Sequence, residues 1–483
     1  MVIDALKYQI LQQFGFVPTE EQGQALDAFA RFLTDRDPHT VMILRGSAGT
    51  GKTSLSGAIV RTLKAIRQKV MLLAPTGRAA KVFSLNSACP AYTIHRRIYR
   101  EKSFAGVDGQ FNLNDNLFTD TLFMVDEASM ISNLGLGGGN FGSGCLLDDL
   151  VRFVYQGHND RLMLIGDKAQ LPPVGEEESP ALNRMMLEGY GLKVYECDLN
   201  EVLRQSQESG ILYNATVIRQ MITHDDITQL PLIRFKGFAD IVMMPGNELV
   251  ESLANSYYRV GQDETMVITR SNKRANIYNN GIRNMVLDRE DELSCGDMLM
   301  IVKNNYFWTE KERNEAKEAL NAIPPFLANG DRAKVLRVSR HMELYGFRFA
   351  TLLLQFPDYD NYEMSVTALL DTLQSEAPAL THEQQEQLFH GVEEDYQDVP
   401  LKADRMKAIR GDQYFNALQV KYAYAITCHK AQGGQWEHVY VDQGYMTDDM
   451  LTPDYIHWLY TAFSRAKDKL FLVNWPKTQT EQA

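Results

Sequence analysis

Short apolar runs recur along the chain, each followed by turn residues and a helical pattern: Val41–Leu44, Val70–Leu73, Leu122–Val125 and Leu162–Ile165. The same alternation returns at Met266–Ile268, Val420–Ala425 and Leu470–Val473. Strands buried on both faces and joined by crossover helices read this way, so the pattern predicts an α/β chain with doubly wound parallel sheets. Upstream, Glu20–Leu33 places Leu26, Phe29 and Leu33 on one face of a helix that leads into the first strand. Three stretches break the rhythm. Residues 96–118 are polar with turn-prone Gly and Asn pairs, which predicts a small β-hairpin insert. Residues 133–144 form a Gly-rich connector. Residues 331–418 open with strand-like alternation (AKVLRV, FRFATLLLQF) and predict an inserted small β-domain.

At 483 residues the chain is too long for a single core, which implies two large domains plus inserts. A 45% hydrophobic and 23% charged composition is that of an ordinary globular protein. No run approaches the roughly 18 apolar residues of a membrane span, and MVIDALKYQILQQFGF lacks the features of a secretion signal. The 5 cysteines (Cys89, Cys145, Cys197, Cys295 and Cys428) show no metal-binding or disulfide spacing, which with the rest predicts reduced thiols and a cytoplasmic setting. The net charge of −13 argues at first against a polyanionic partner. Residues 349–401, however, contain no Lys or Arg while holding Asp358, Asp360, Glu363, Asp371, Glu376, Glu383, Glu386, Glu393, Glu394, Asp395 and Asp398. Basic residues collect elsewhere, as at Arg96, Arg97, Arg100 and Lys102, so a local basic groove is compatible with the total. The acidic stretch is either solvated surface or a face that repels a polyanion or docks a basic partner.

GSAGTGKT fits G-x-x-x-x-G-K-[ST] between an apolar strand and a helical run. It makes Gly46, Ser47, Ala48, Gly49, Thr50, Gly51, Lys52 and Thr53, with Ser54 beside them, candidate nucleotide ligands. Lys52 suits the β/γ-phosphates of ATP, and the Thr53 hydroxyl suits Mg²⁺. Asp126 and Glu127 close the strand TLFMV, where a second Mg²⁺ contact and a group to polarise water are needed. Adjacent acids alone are usually a solvated pair; it is their place at a strand end that raises them to candidates. Gln170 follows the strand RLMLI and suits a sensor of γ-phosphate or attacking water, with Pro172 and Pro173 stiffening the loop; a plain turn is the alternative.

The order of these motifs resembles superfamily 1 helicases, in particular the 5′→3′ branch that includes RecD and Dda. The resemblance runs from PTEEQ to YTAFSRAK, with the inserts outside it. It implies that Gln22 reads adenine. It implies DNA contacts by Thr76 and Arg78 in APTGRAA, and by Thr93 and His95 in TIHR. Apart from the resemblance, a helix N-cap is the favoured account of either threonine. LNEVLRQ implies that Arg204 points at the γ-phosphate, and LYTAFSRAK makes Arg465 a second arginine of that kind. ITCHKAQGGQW implies DNA contacts by Thr427, His429 and Lys430. Gln435 stands there where the family commonly has Glu near the ribose, which puts that contact in doubt. Ser464 replaces the usual Thr before Arg465. VITRSN resembles the family's strand-end DNA contact, which implies contacts through Thr269 and Asn272, and ANGD resembles the turn before an SH3-like insert.

The expectation is therefore two RecA-like P-loop domains, residues 1–205 and 206–330 plus 419–483, with the hairpin at 96–118 and an SH3-like domain at 331–418. The cofactors implied are ATP and Mg²⁺, and the partners are single-stranded and forked DNA, with no membrane, for a monomer. The expected activity is 5′→3′ unwinding in DNA repair, recombination or replication. An RNA helicase, or a RecD-like subunit of an exodeoxyribonuclease complex, fits the same motifs.

Overall fold

The computed structural model describes residues 2–105, 108–135, 142–201, 208–224, 227–315, 323–324 and 326–481. Its first lobe carries β1 (Thr40–Gly46), β2 (Lys69–Ala74), β3 (Ala91–Thr93), a separate hairpin of β4 (Tyr99–Ala105) and β5 (Asp108–Leu113), then β6 (Thr121–Val125), β7 (Arg161–Gly166) and β8 (Lys193–Leu199). Outside the hairpin these strands form one parallel sheet in the order β3-β2-β6-β7-β1-β8. Val41, Met42, Ile43 and Leu44 are all buried because helices cover both faces, which is why β1 reads as an unbroken apolar run. Helix Glu20–Thr34 begins with a capping box between Thr19 and Gln22. It buries Leu26, Phe29 and also Phe32, while Leu33 is only partly buried.

The second lobe contains β9 (Ile241–Met244) and β10 (Thr265–Thr269), and, after an insertion, β16 (Ala425–Thr427), β17 (Trp436–Asp442) and β18 (Ala466–Val473). They too are parallel, in the order β16-β10-β17-β18-β9. Between them β11 (Met298–Ile301), β12 (Arg332–Leu344), β13 (Phe347–Phe356), β14 (Tyr362–Leu369) and β15 (Leu418–Tyr422) close a barrel. The fold is thus two RecA-like α/β lobes with a small barrel that suits an SH3-like insert.

The barrel starts before the sequence boundary at 331 and ends after 418, because closure pairs β11 with both β12 and β15. The run Val420–Ala425 is correspondingly split: Val420–Tyr422 belongs to the barrel, and Ala425 opens the parallel sheet. An apolar run does not declare its partner, so this division was not readable from the pattern. Barrel residues Ala350, Leu352 and Val366 share one core with Val439 and Leu470 of the second sheet. The acidic stretch is spread over β13, β14 and helix His382–Asp395, and several of its acids have partners: Asp371 pairs with Arg348, and Asp395 accepts from Tyr345.

Candidate functional site: the cleft between the two sheets

Because β7 lies between β1 and β6, the C-terminal ends of these three strands are neighbours. One edge therefore carries the loop after Gly46, the Asp126–Glu127 pair and the loop after Gly166. Opposite stand the N-terminal ends of β17 and β18, preceded by Gln432–Gln435 and by Arg465.

The phosphate loop turns through Gly49 and Gly51, at φ 78° and 80°, a region that only glycine adopts without strain. A Cβ on Gly46 would lie 2.8 Å from both Lys52 Cγ and Thr50 Oγ1, so the loop closes against its own lysine. Lys52 Nζ donates to the carbonyls of Gly46 (2.5 Å) and Ser47 (2.9 Å). Thr53 and Ser54 are exposed at the start of helix Lys52–Ala65. Gln22 is buried; its Nε2 donates to the Thr50 carbonyl at 2.9 Å and its Oε1 accepts from Thr19 N at 3.0 Å. Its amide thus fixes the loop to the preceding helix.

Asp126 is partly buried, and desolvation with Glu127 beside it raises its carboxyl to about 7, while Lys52 pulls the other way. Glu127 sits at φ 52°, in the left-handed region, which turns the chain sharply after β6. A partly buried acid next to a second acid fits a divalent cation, and the exposed Thr53 hydroxyl at the helix start is a compatible neutral ligand. Gln170 is buried between the lobes. With its amide oriented to suit both neighbours, it donates to Glu127 Oε2 at 3.2 Å and accepts from Arg465 Nη2 at 3.3 Å. Arg465 is itself held by Thr461 O (3.0 Å), Gly434 O (3.3 Å) and Ser464 Oγ (2.9 Å), so serine supplies the hydroxyl that steadies it. Arg204 lies outside the described residues.

Several side chains of this cleft were not singled out from the sequence. Tyr460 accepts from the phosphate-loop Ala48 N–H at 3.1 Å and donates to Asp167 at 2.6 Å; burial and Asp167 push its phenol well above the ordinary range. His457 bonds the carbonyls of Ala169 and Gln170, Thr461 accepts from Leu171 N, and Gln432 donates to Leu171 O. Arg219, on helix Gly210–Thr223, donates to Ser47 Oγ at 2.8 Å. Tyr460 and Gln432 fall inside quoted motifs, so position there was the available signal. Nothing in the sequence marks Arg219.

The residues assigned to DNA are placed differently. Thr76 caps helix Gly77–Ser87, accepting from Ala79 N at 3.2 Å. Arg78 is half-buried, with its guanidinium 4.4 Å from the Trp436 ring and a bond to Gln435 O at 3.1 Å. Burial and nearby Arg332 lower it to about 10. The Gln435 side chain is exposed. Thr93 is buried, and its Oγ1 has no partner among the described residues. His95 packs near Tyr99, and burial lowers its imidazole to about 4. Thr269 is fully buried, bonding Ser271 O and Ile426 O, and Asn272 donates to Glu376 O. Thr427 starts helix Cys428–Ala431, His429 is exposed, and Lys430 is lowered to about 8 by burial and by Lys421. Among the described residues no helix is long and apolar enough to cross a membrane.

The hairpin forms with Tyr99 opposite Leu113, and Phe111 near its base lies 6.4 Å from Tyr306, which stacks on Phe326 at 5.0 Å.

Two family models match the chain: an AAA domain over residues 19–221 and a UvrD-like helicase C-terminal domain over residues 422–473. An uncharacterized protein of Methanocaldococcus jannaschii, MJ1519, is 34% identical over 171 residues, which is 33% of this chain and 14% of that protein. An ATP-dependent RecD2 DNA helicase of Deinococcus radiodurans is 30% identical over 157 residues, 32% of this chain and 18% of that protein. The chain thus spans under a fifth of the length of these two curated relatives. Among solved structures, a Bacteroides Pif1 helicase in complex with ADP-AlF3 and single-stranded DNA aligns over 97% of this chain and 95% of that one, at 14% identity and a TM-score of 0.47.

Proposed function

We propose that this chain is a superfamily 1 helicase of the RecD-like type, a motor that hydrolyses ATP between its two lobes and steps 5′→3′ along single-stranded DNA. The observation that carries this reading is the Gln170 amide, which bridges Glu127 of the first sheet and Arg465 at the edge of the second. A phosphoryl-transfer site gains on the order of 10³ or more from an inserted arginine. Where that arginine belongs to another lobe, each cycle of binding and product release must open and close the cleft.

In this reading Thr53 and Asp126 hold Mg²⁺, which when bound neutralises charge on the transferred phosphoryl group. Lys52 exchanges its two carbonyl partners for phosphate oxygens. Glu127 takes the proton of the attacking water, Gln170 relates that water to Arg465, and Arg465 meets the charge that develops on the phosphoryl oxygens. Single-stranded DNA crosses the outer strands of both sheets, near Thr76, Thr93, Asn272, Thr427, His429 and Lys430, and the hairpin serves as the strand-separating pin.

The test is ATP-dependent separation of duplexes carrying a 5′ DNA tail, a 3′ DNA tail or a 5′ RNA tail. Separation of the 5′ DNA-tailed substrate alone is expected. Equal separation from the 3′ tail contradicts the polarity, preference for the RNA tail contradicts the substrate, and no separation of any substrate contradicts the motor.

A further inference from the structure

Helix Gly210–Thr223 is fixed at its start by the Ser209 cap and by Asp240, which accepts from Gly210 N at 2.8 Å. It buries Ile211, Ala215 and Ile218, and Tyr213–Phe238 ring packing braces it from outside. From its C-terminal half Arg219 reaches the first lobe, donating to Ser47 Oγ at 2.8 Å and to Asn200 Oδ1 at 3.3 Å. Its Nε is enclosed and has no partner among the described residues, so the guanidinium keeps an unused donor at the cleft.

Ser47 is no ordinary contact. Its carbonyl accepts from Lys52 Nζ at 2.9 Å and from Thr50 Oγ1 at 2.9 Å, so it holds the lysine that must turn to the phosphates. Arg219 therefore grips, from the far side of the cleft, one of the two residues whose carbonyls hold Lys52 Nζ. The neighbouring loop residue is tied the same way, Ala48 N–H to Tyr460.

We propose that Arg219 is a positioning residue that makes the shape of the phosphate loop depend on the second lobe, through Ser47, so that nucleotide binding and cleft closure are coupled. This rests on the motor reading above. A guanidinium is suited to the task because its planar fork can keep Ser47 and Asn200 together while its remaining donors stay oriented, which an ammonium cannot reproduce.

The experiment compares Arg219→Ala, Arg219→Lys, Ser47→Ala and the Arg219→Ala/Ser47→Ala double variant of the full chain. ADP and a non-hydrolysable ATP analogue serve as binding probes, and ATP hydrolysis is followed with single-stranded DNA. Arg219→Ala should raise both the Kd for the analogue and the KM for ATP on the order of tenfold, with kcat changing less. Ser47→Ala should do the same, and the double variant should be no worse than either single one. Arg219→Lys should recover part of the loss, which separates positioning from misfolding. Unchanged Kd and KM in Arg219→Ala, or losses that multiply in the double variant, would overturn the proposal. If the natural chain binds the probes but does not hydrolyse ATP, the motor reading fails, and the binding comparison still decides the role of Arg219.

Discussion

The two edges of each sheet carry different kinds of candidate residue. In the cleft, Lys52, Asp126, Glu127 and Gln170 follow the central strands β1, β6 and β7, and Arg465 directly precedes β18. Toward the other edge, Thr76 follows β2 and Thr93 closes β3, while Thr269 and Thr427 close β10 and β16. The first set converges, with Gln170 touching one residue from each lobe. The second is committed largely to the fold itself: Thr76 caps a helix, Arg78 stacks on Trp436, and Thr269 is enclosed. Phosphate chemistry needs one fixed constellation, which central strand ends supply. Arg78 is lodged between the lobes, against the Trp436 ring and the Gln435 carbonyl.

The largest effect expected is in the cleft. Arg465→Ala should lower kcat for DNA-stimulated hydrolysis on the order of 10³-fold while leaving nucleotide affinity within a few-fold. A loss of affinity with kcat intact would remove Arg465 from the reacting phosphoryl group. Glu127→Gln should cost on the order of 10² to 10³ in kcat, again with binding kept, as measured by single-turnover hydrolysis.

The outer edge predicts smaller, structural effects. A Cβ on Gly77 would come within 2.9 Å of both Ala328 Cβ and Asp331 Oδ1, because the barrel's ANGD turn packs directly on the helix start. Gly77→Ala should therefore destabilise by about 1–3 kcal/mol in urea unfolding. If the stability is unchanged, the barrel is not docked there.

The smallest effect concerns His95. Its folded pKa, about 4, lies below its ordinary 6.5, so the unfolded chain takes up the proton first. The neutral imidazole contributes stability above pH 6.5, and that contribution is lost as pH falls toward 4. His95→Asn should flatten this part of the profile, and an identical slope in both proteins would place the imidazole in solvent.

How much was legible follows from how local each signal is. Runs such as Leu122–Val125 and the glycine spacing of the phosphate loop are written in a few adjacent residues, and β6 and the loop at Gly46 lie where they indicate. The barrel boundary was not, because β11 and β15 become its closing strands only by pairing across a long insertion. The commitments of Arg78 to Trp436 and of Arg219 to Ser47 were equally hidden, since each joins residues that meet only when two lobes pack. Gln22 lies between these cases: its motif marks an adenine reader, while the structure shows its amide already holding Thr19 and Thr50.

The central claim is that one chain completes its own hydrolytic site across its own cleft. The most direct measurement mixes Lys52→Ala and Arg465→Ala chains in equal amounts with single-stranded DNA and follows ATP hydrolysis against each variant alone. The mixture should be as inactive as its parts, because each chain lacks one half of a site that no other chain supplies. Recovery of hydrolysis in the mixture would contradict it and place the second arginine on a neighbouring copy.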